Sequence, residues 1–292
     1  MAHLEIVDAF PDFLSFWAHA RYLSPEALPD SWAREQAAAR PRLLAMQIED
    51  YESQGEDWRA ITSEKVFPFL DKRLPAMRTA HTNLQAACEP LYARAQEKLG
   101  FESDAVFVIH VGIGCGAGWA TTYRDRPAIL FGLENIAECG WSEPPALTGL
   151  IAHELGHLAH FHWRAQHALG LGSGPWWQIY EEGFAQRCKH LILGTNTWHM
   201  ALGAERDWLP WCRANRRWLA AEYLRLAEEG GSVRPFFGSW FDVQGQSQTG
   251  YYLGHELISD LESRMDLREI ALMDGGDPRL RASLRKLAEG CT

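Results

Sequence analysis

Leu150-Ile151-Ala152-His153-Glu154-Leu155-Gly156-His157-Leu158 is the stretch on which the fold and chemistry of this chain turn. It contains the pattern HExxH. On an α-helix, residues four apart share a face one turn apart. Both imidazoles, His153 and His157, can therefore reach a single Zn²⁺, while Glu154 can contact a water without ligating the ion. Leu150 and Ile151 ahead of the pattern are apolar, as a buried helix requires. The alternative is a pair of solvent-facing histidines on an amphipathic helix.

Outward from this stretch the chain reads as helix on both sides of a short strand region. Ser142 can cap the motif helix, with Pro144 and Pro145 in its first turn and Leu147, Leu155 and Leu158 continuing it. Upstream, Ala105–Val111 and Pro127–Phe131 are short, apolar and partly β-branched, which predicts buried strands. Gly112, Gly114, Gly116 and Gly118 between them match neither GK[ST] nor GxGxxG, so a phosphate loop is a weak reading. Downstream, Gly170, Gly172, Gly174 and Pro175 break the chain before a helix at about 176–193. Further helices are expected at 200–229, 250–264 and 267–289, with a loop at 231–249. The first third reads as helical throughout. Its clearest stripe is Met77, Ala80, Leu84, Ala87, Leu91 and Ala95, ending at Leu99-Gly100. The expected division is a helical lobe over 1–100 and a second domain over 101–292.

A hydrolytic zinc keeps three protein ligands and one open position. The extended pattern HExxHxxGxxH would place glycine at 160 and histidine at 163, but the chain has His160 and Trp163. The other route takes a glutamate from the next helix. Ile179-Tyr180-Glu181-Glu182-Gly183-Phe184-Ala185 supplies Glu182, with 24 residues between it and His157. Gly183 beside it would let two helices approach closely enough to share an ion. The alternative for Glu182 is an ordinary surface acid. His160 is expected to be a core residue or to support the ligands. His110, His167, His190, His199 and His255 sit in no motif and are expected to be structural or at the surface.

With these residues the chain resembles the gluzincins, in particular the aminopeptidase-N-like branch and its small bacterial relatives, over roughly residues 105–265. That branch places its third ligand in a segment reading NEGFA, here Glu181–Ala185, which implies Glu182. Its Y-x-x-G pattern, with a tyrosine that stabilises the oxyanion, falls on Tyr251-Tyr252-Leu253-Gly254. The resemblance implies Tyr251 for this role; Tyr252 is the neighbouring candidate, and either can instead be a core aromatic. The GxMEN segment, whose glutamate holds a substrate's free amino terminus on an edge strand, is echoed by Phe131-Gly132-Leu133-Glu134-Asn135. Here Leu replaces Met and Phe131 stands at the first glycine. The resemblance thus implies Gly132 and Glu134 as substrate-binding residues, with strand 128–133 aligning a peptide by strand addition. It also implies a zincin-like α+β fold with a small sheet bearing an antiparallel edge; with the N-terminal helical lobe read from the periodicity above, the chain is expected to be mainly helical. The implied activity is a metallopeptidase with one Zn²⁺ on His153, His157 and Glu182 and with Glu154 as general base. Rival readings are a zinc-binding regulatory module with a vestigial site, and hydrolysis of a non-peptide amide or epoxide.

Composition bounds the remaining classes. With 47% hydrophobic and 23% charged residues, the 292-residue chain can bury a large core and is not disordered. A net charge of −10 disfavours a general nucleic-acid binder, which needs clustered Lys and Arg; Arg213, Arg216 and Arg217 read as a solvated helix face. No apolar run approaches the ~20 residues of a membrane span. The first residues lack a basic n-region and a continuous apolar stretch, so a cytoplasmic location is expected. Six cysteines without a CxxC pair read as mostly buried thiols.

Overall fold

The computed structural model describes residues 3–202 and 207–290. The chain is α+β and mainly helical, with one four-stranded mixed sheet in the order β1-β2-β4-β3. It divides into two compact units, Met1–Glu89 with Asp104–Leu147, and Pro90–Ser103 with Thr148–Thr292. Among the described residues no helix is long and apolar enough to cross a membrane.

The first unit is built on the sheet. It begins with β1 (Leu4–Asp8), α1 (Phe10–Ala20), α2 (Leu28–Ala39), α3 (Pro41–Ser53) and the single turn α4 (Trp58–Ile61). The long helix α5 (Leu70–Leu99) starts here and ends at Gly100, whose φ of +64° suits a glycine at a helix stop. Then follow β2 (Ala105–His110), β3 (Gly118–Tyr123), β4 (Arg126–Gly132) and α6 (Leu133–Glu138). Strand β2 is buried at all six positions, as an apolar run between two neighbours should be. Its Val106 and Val108 join Val7, Leu43, Met46 and Leu130 in one core cluster, which seats α3 on that face of the sheet. A second, aromatic cluster of Phe13, Phe16, Trp17 and Trp32 holds α1 to α2.

Three expectations change here. The N-terminal third is not wholly helical, because Leu4–Asp8 pairs in parallel with Ala105–Ile109. A segment of only five residues shows its strand character only through that long-range partner. The compact units for the same reason do not follow a boundary at residue 100: the sheet folds with the helices that precede it. Ser142 does not cap the motif helix either, since its hydroxyl is buried without a hydrogen-bond partner among the described residues. The antiparallel edge is present, as β3 paired with β4.

The second unit carries most of α7 (Pro144–Gln166), α8 (Pro175–Leu193), α9 (Trp208–Ala214), α10 (Arg216–Glu229), α11 (Thr249–Glu262), α12 (Leu267–Ala271) and α13 (Pro278–Glu289). The helices expected at 200–229 and 267–289 are thus each broken. Two features fix the geometry of the helices that matter. Arg164 at the end of α7 is buried and donates to the carbonyls of Gly170, Ala271 and Met273 while lying over the Trp177 ring. Between α8 and α11 the backbones touch at Gly183 and Gly254. A Cβ on Gly254 would meet Ile179 O at 2.5 Å and Gly183 Cα at 2.8 Å, and one on Gly183 would run into the Gly254 carbonyl. Both obstacles are backbone and cannot swing away. Gly254→Ala should therefore push the two helices apart and destabilise the fold by about 1–3 kcal/mol. Urea unfolding measures this, and an unchanged midpoint would mean that the helices are not held so closely.

Candidate metal centre

The motif helix places its two histidines as its period requires. His153 and His157 are one turn apart on α7, with ring centroids 4.9 Å apart and the rings nearly perpendicular at 85°. Both are buried, at 3% and 7% exposure, which excludes the solvent-facing alternative. Gly156 inside the motif brings α7 against α8: a Cβ there would meet Ala185 O at 2.7 Å and Ala185 Cα at 2.8 Å. The close approach expected of Gly183 is thus made by Gly156. Gly183 instead seats α11, the helix that carries Tyr251.

Glu182 on α8 faces the two imidazoles. Its Oε2 lies 3.1 Å from His153 Nε2 and 3.4 Å from His157 Nε2. The three ligand atoms lie within 4.8 Å of one another, and no other such group of three is found among the described residues. Two ligands about 2.0–2.1 Å from a tetrahedral zinc stand about 3.3–3.4 Å apart. Both N–O separations are close to that span, which fits an ion held between Glu182 and the two imidazoles. Two neutral-capable imidazoles with one carboxylate are also a donor set that zinc accepts.

Electrostatics bind the three together. Burial pulls the His153 pKa down to about 4, partly opposed by its hydrogen bond to Glu182. Burial works against charge on His157 too, but there the Glu182 carboxylate prevails and holds the imidazole up at about 9. Burial likewise opposes ionisation of Glu182, yet the two histidines keep its carboxyl well below the usual range. The group thus holds a buried negative charge facing two nitrogens, which is what a cation replaces a proton in. The Nδ1 atoms of both histidines have no hydrogen-bond partner among the described residues. Ring orientation therefore comes from packing rather than from a supporting carboxylate.

Glu154 is buried, and its charge acts on His157. The tyrosine pair separates clearly. Tyr251 lays its ring edge-to-face on His153, centroids 5.5 Å apart, and is backed by Phe237 at 5.6 Å. Tyr252 is buried against Trp198. Within the 231–249 loop, Phe236 and Phe237 are buried. His160 is a core residue: it stacks on Trp177 and its Nε2 lies 3.1 Å from the Ala271 carbonyl.

Glu134 and Gly132 belong to the first unit and are occupied there. Glu134 is fully buried and accepts from the backbone N–H groups of Gly112 (2.8 Å) and Gly114 (2.9 Å). Gly132 N–H donates to Ala117 O. Strand β4 is paired on one side with β2 and on the other with β3. Strand addition along 128–133 is therefore corrected, because that strand has no open edge; β1 and β3 are the outer strands. Glu134 instead ties down the glycine segment, its two carboxyl oxygens each accepting from one of that segment's amides.

Residues passed over in the sequence also reach this centre. His199 lies against His153, with ring centroids 6.0 Å apart. Lys189 meets His199, and Phe237 backs Tyr251. No spacing signal marks them, because they reach the site across helix packing rather than along one helix. No protein-family model, curated protein or solved structure matches the chain.

Proposed function

We propose that the chain is a zinc metallopeptidase of the gluzincin type, with His153, His157 and Glu182 holding one Zn²⁺. The observation that carries this reading is the convergence of Glu182 Oε2 on both Nε2 atoms at 3.1 and 3.4 Å, beside a buried Glu154. When bound, zinc supplies a Lewis acid for a carbonyl oxygen and lowers the pKa of water towards ~7.

The chain's own residues supply the rest. Glu154 takes a proton from the attacking water as the new C–O bond forms. It then gives that proton to the amine as the C–N bond breaks. The Tyr251 hydroxyl donates to the oxyanion from the helix that Gly183 and Gly254 hold in place. A metal module without catalysis would require only the three ligands, so Glu154 and Tyr251 at the same place favour hydrolysis.

Chelator-sensitive cleavage of a mixed peptide library tests the activity. A parallel library with blocked amino termini tells exopeptidase from endopeptidase, a distinction that the engaged Glu134 leaves to experiment. No cleavage by zinc-loaded protein would contradict the peptidase reading. Tyr251→Phe should cut turnover about 10²–10³-fold while leaving zinc affinity unchanged. An unaltered rate would remove Tyr251 from the mechanism.

A further inference from the structure

Lys189 lies on α8, two turns beyond Glu182 and on the same helix face. It is fully buried, and among the described residues no carboxylate pairs with it. Its Nζ meets His199 Nδ1 at 3.3 Å and stands 5.5 Å from the Trp198 ring centroid. Burial pushes the amine's pKa well below its ordinary value, because it disfavours the charged form. Burying a lysine in this way costs stability.

His199 is wedged into place from the other side. A Cβ on Gly149, one turn before His153 on α7, would meet His199 Cβ at 2.7 Å, so a glycine there admits the imidazole. The His199 ring then packs on His153 at 6.0 Å with a tilt of 56°. Zinc-binding histidines ordinarily give their second nitrogen to a carboxylate or carbonyl that fixes the ring. His153 Nδ1 has no such partner among the described residues.

We propose that Lys189 and His199 are a positioning pair for the metal centre: Lys189 fixes the His199 imidazole, and His199 fixes the ring of His153. The inference rests on His153 being a metal ligand. The pair orients the ligand without adding negative charge behind it, the opposite of a carboxylate support.

Zinc affinity by chelator competition, together with thermal melts of the metal-free proteins, tests this. Lys189→Met keeps the aliphatic stem and removes the amine; His199→Phe keeps the ring packing and removes the nitrogens. Both should weaken zinc binding about 10-fold or more. The metal-free Lys189→Met protein should melt at or above the parent temperature, since a costly buried amine is gone. Unchanged affinity in both variants overturns the pair, as does an affinity loss that appears only with a lowered melting temperature. If Lys189→Met does not fold, His199→Phe decides. A parent chain that binds no zinc overturns the metal-centre reading and this inference with it. A parent that binds zinc alongside unaffected variants overturns the pair alone.

Discussion

Glu154→Gln is expected to bind zinc as well as the parent chain yet hydrolyse peptides about 10²–10⁴-fold more slowly. The amide is nearly isosteric with the carboxylate, so the buried site keeps its packing. It cannot accept a proton from water at neutral pH. Glu154 is not one of the three converging ligands, which is why metal binding and turnover should part company in this variant. Zinc content and steady-state kinetics on one preparation measure both. Full activity would refute the proton-carrier role, and lost zinc would make Glu154 a ligand.

Glu182→Ala should abolish tight zinc binding, lowering affinity by more than about 100-fold, beyond what the loss of a supporting residue costs. Two effects add. One of three ligands disappears, and so does the buried negative charge that offsets the ion. The same substitution removes what holds His157 up at about 9, so its imidazole should lose its proton at lower pH. In the parent, protons and zinc compete for the histidines, and zinc uptake should strengthen as pH rises towards about 9. Isothermal titration against pH measures this. Undiminished affinity in Glu182→Ala would place the third ligand elsewhere.

The motif helix, the ligand helix and their glycine-rich connection were legible because each is marked locally. The histidines repeat at a helical period, and Gly170–Pro175 is a plain break between helices. Glu182 emerged because a third ligand was chemically required and a glutamate beside a glycine stood on the next helix. What stayed hidden depends on partners far along the chain. Leu4–Asp8 becomes a strand only by pairing with Ala105–Ile109. Strand β3, with its Gly118, Trp119 and paired threonines, looks like the tail of a glycine stretch until β4 lies beside it. The internal place of β4 follows from the same pairing, and with it the closed edge that strand addition would have needed. Gly183 was singled out for the right property but the wrong neighbour: helical sequence shows a small residue, not which helix comes to meet it. Lys189 and His199 illustrate the same limit, since nothing in a single sequence brings an interhelical loop histidine to the ring of His153.

The most direct test is the metal content of folded protein purified without chelators and dialysed against trace zinc. One zinc per chain is expected, removed by chelator, restored on adding zinc, and missing from Glu182→Ala. A folded chain that stays metal-free in excess zinc would contradict the shared site of His153, His157 and Glu182.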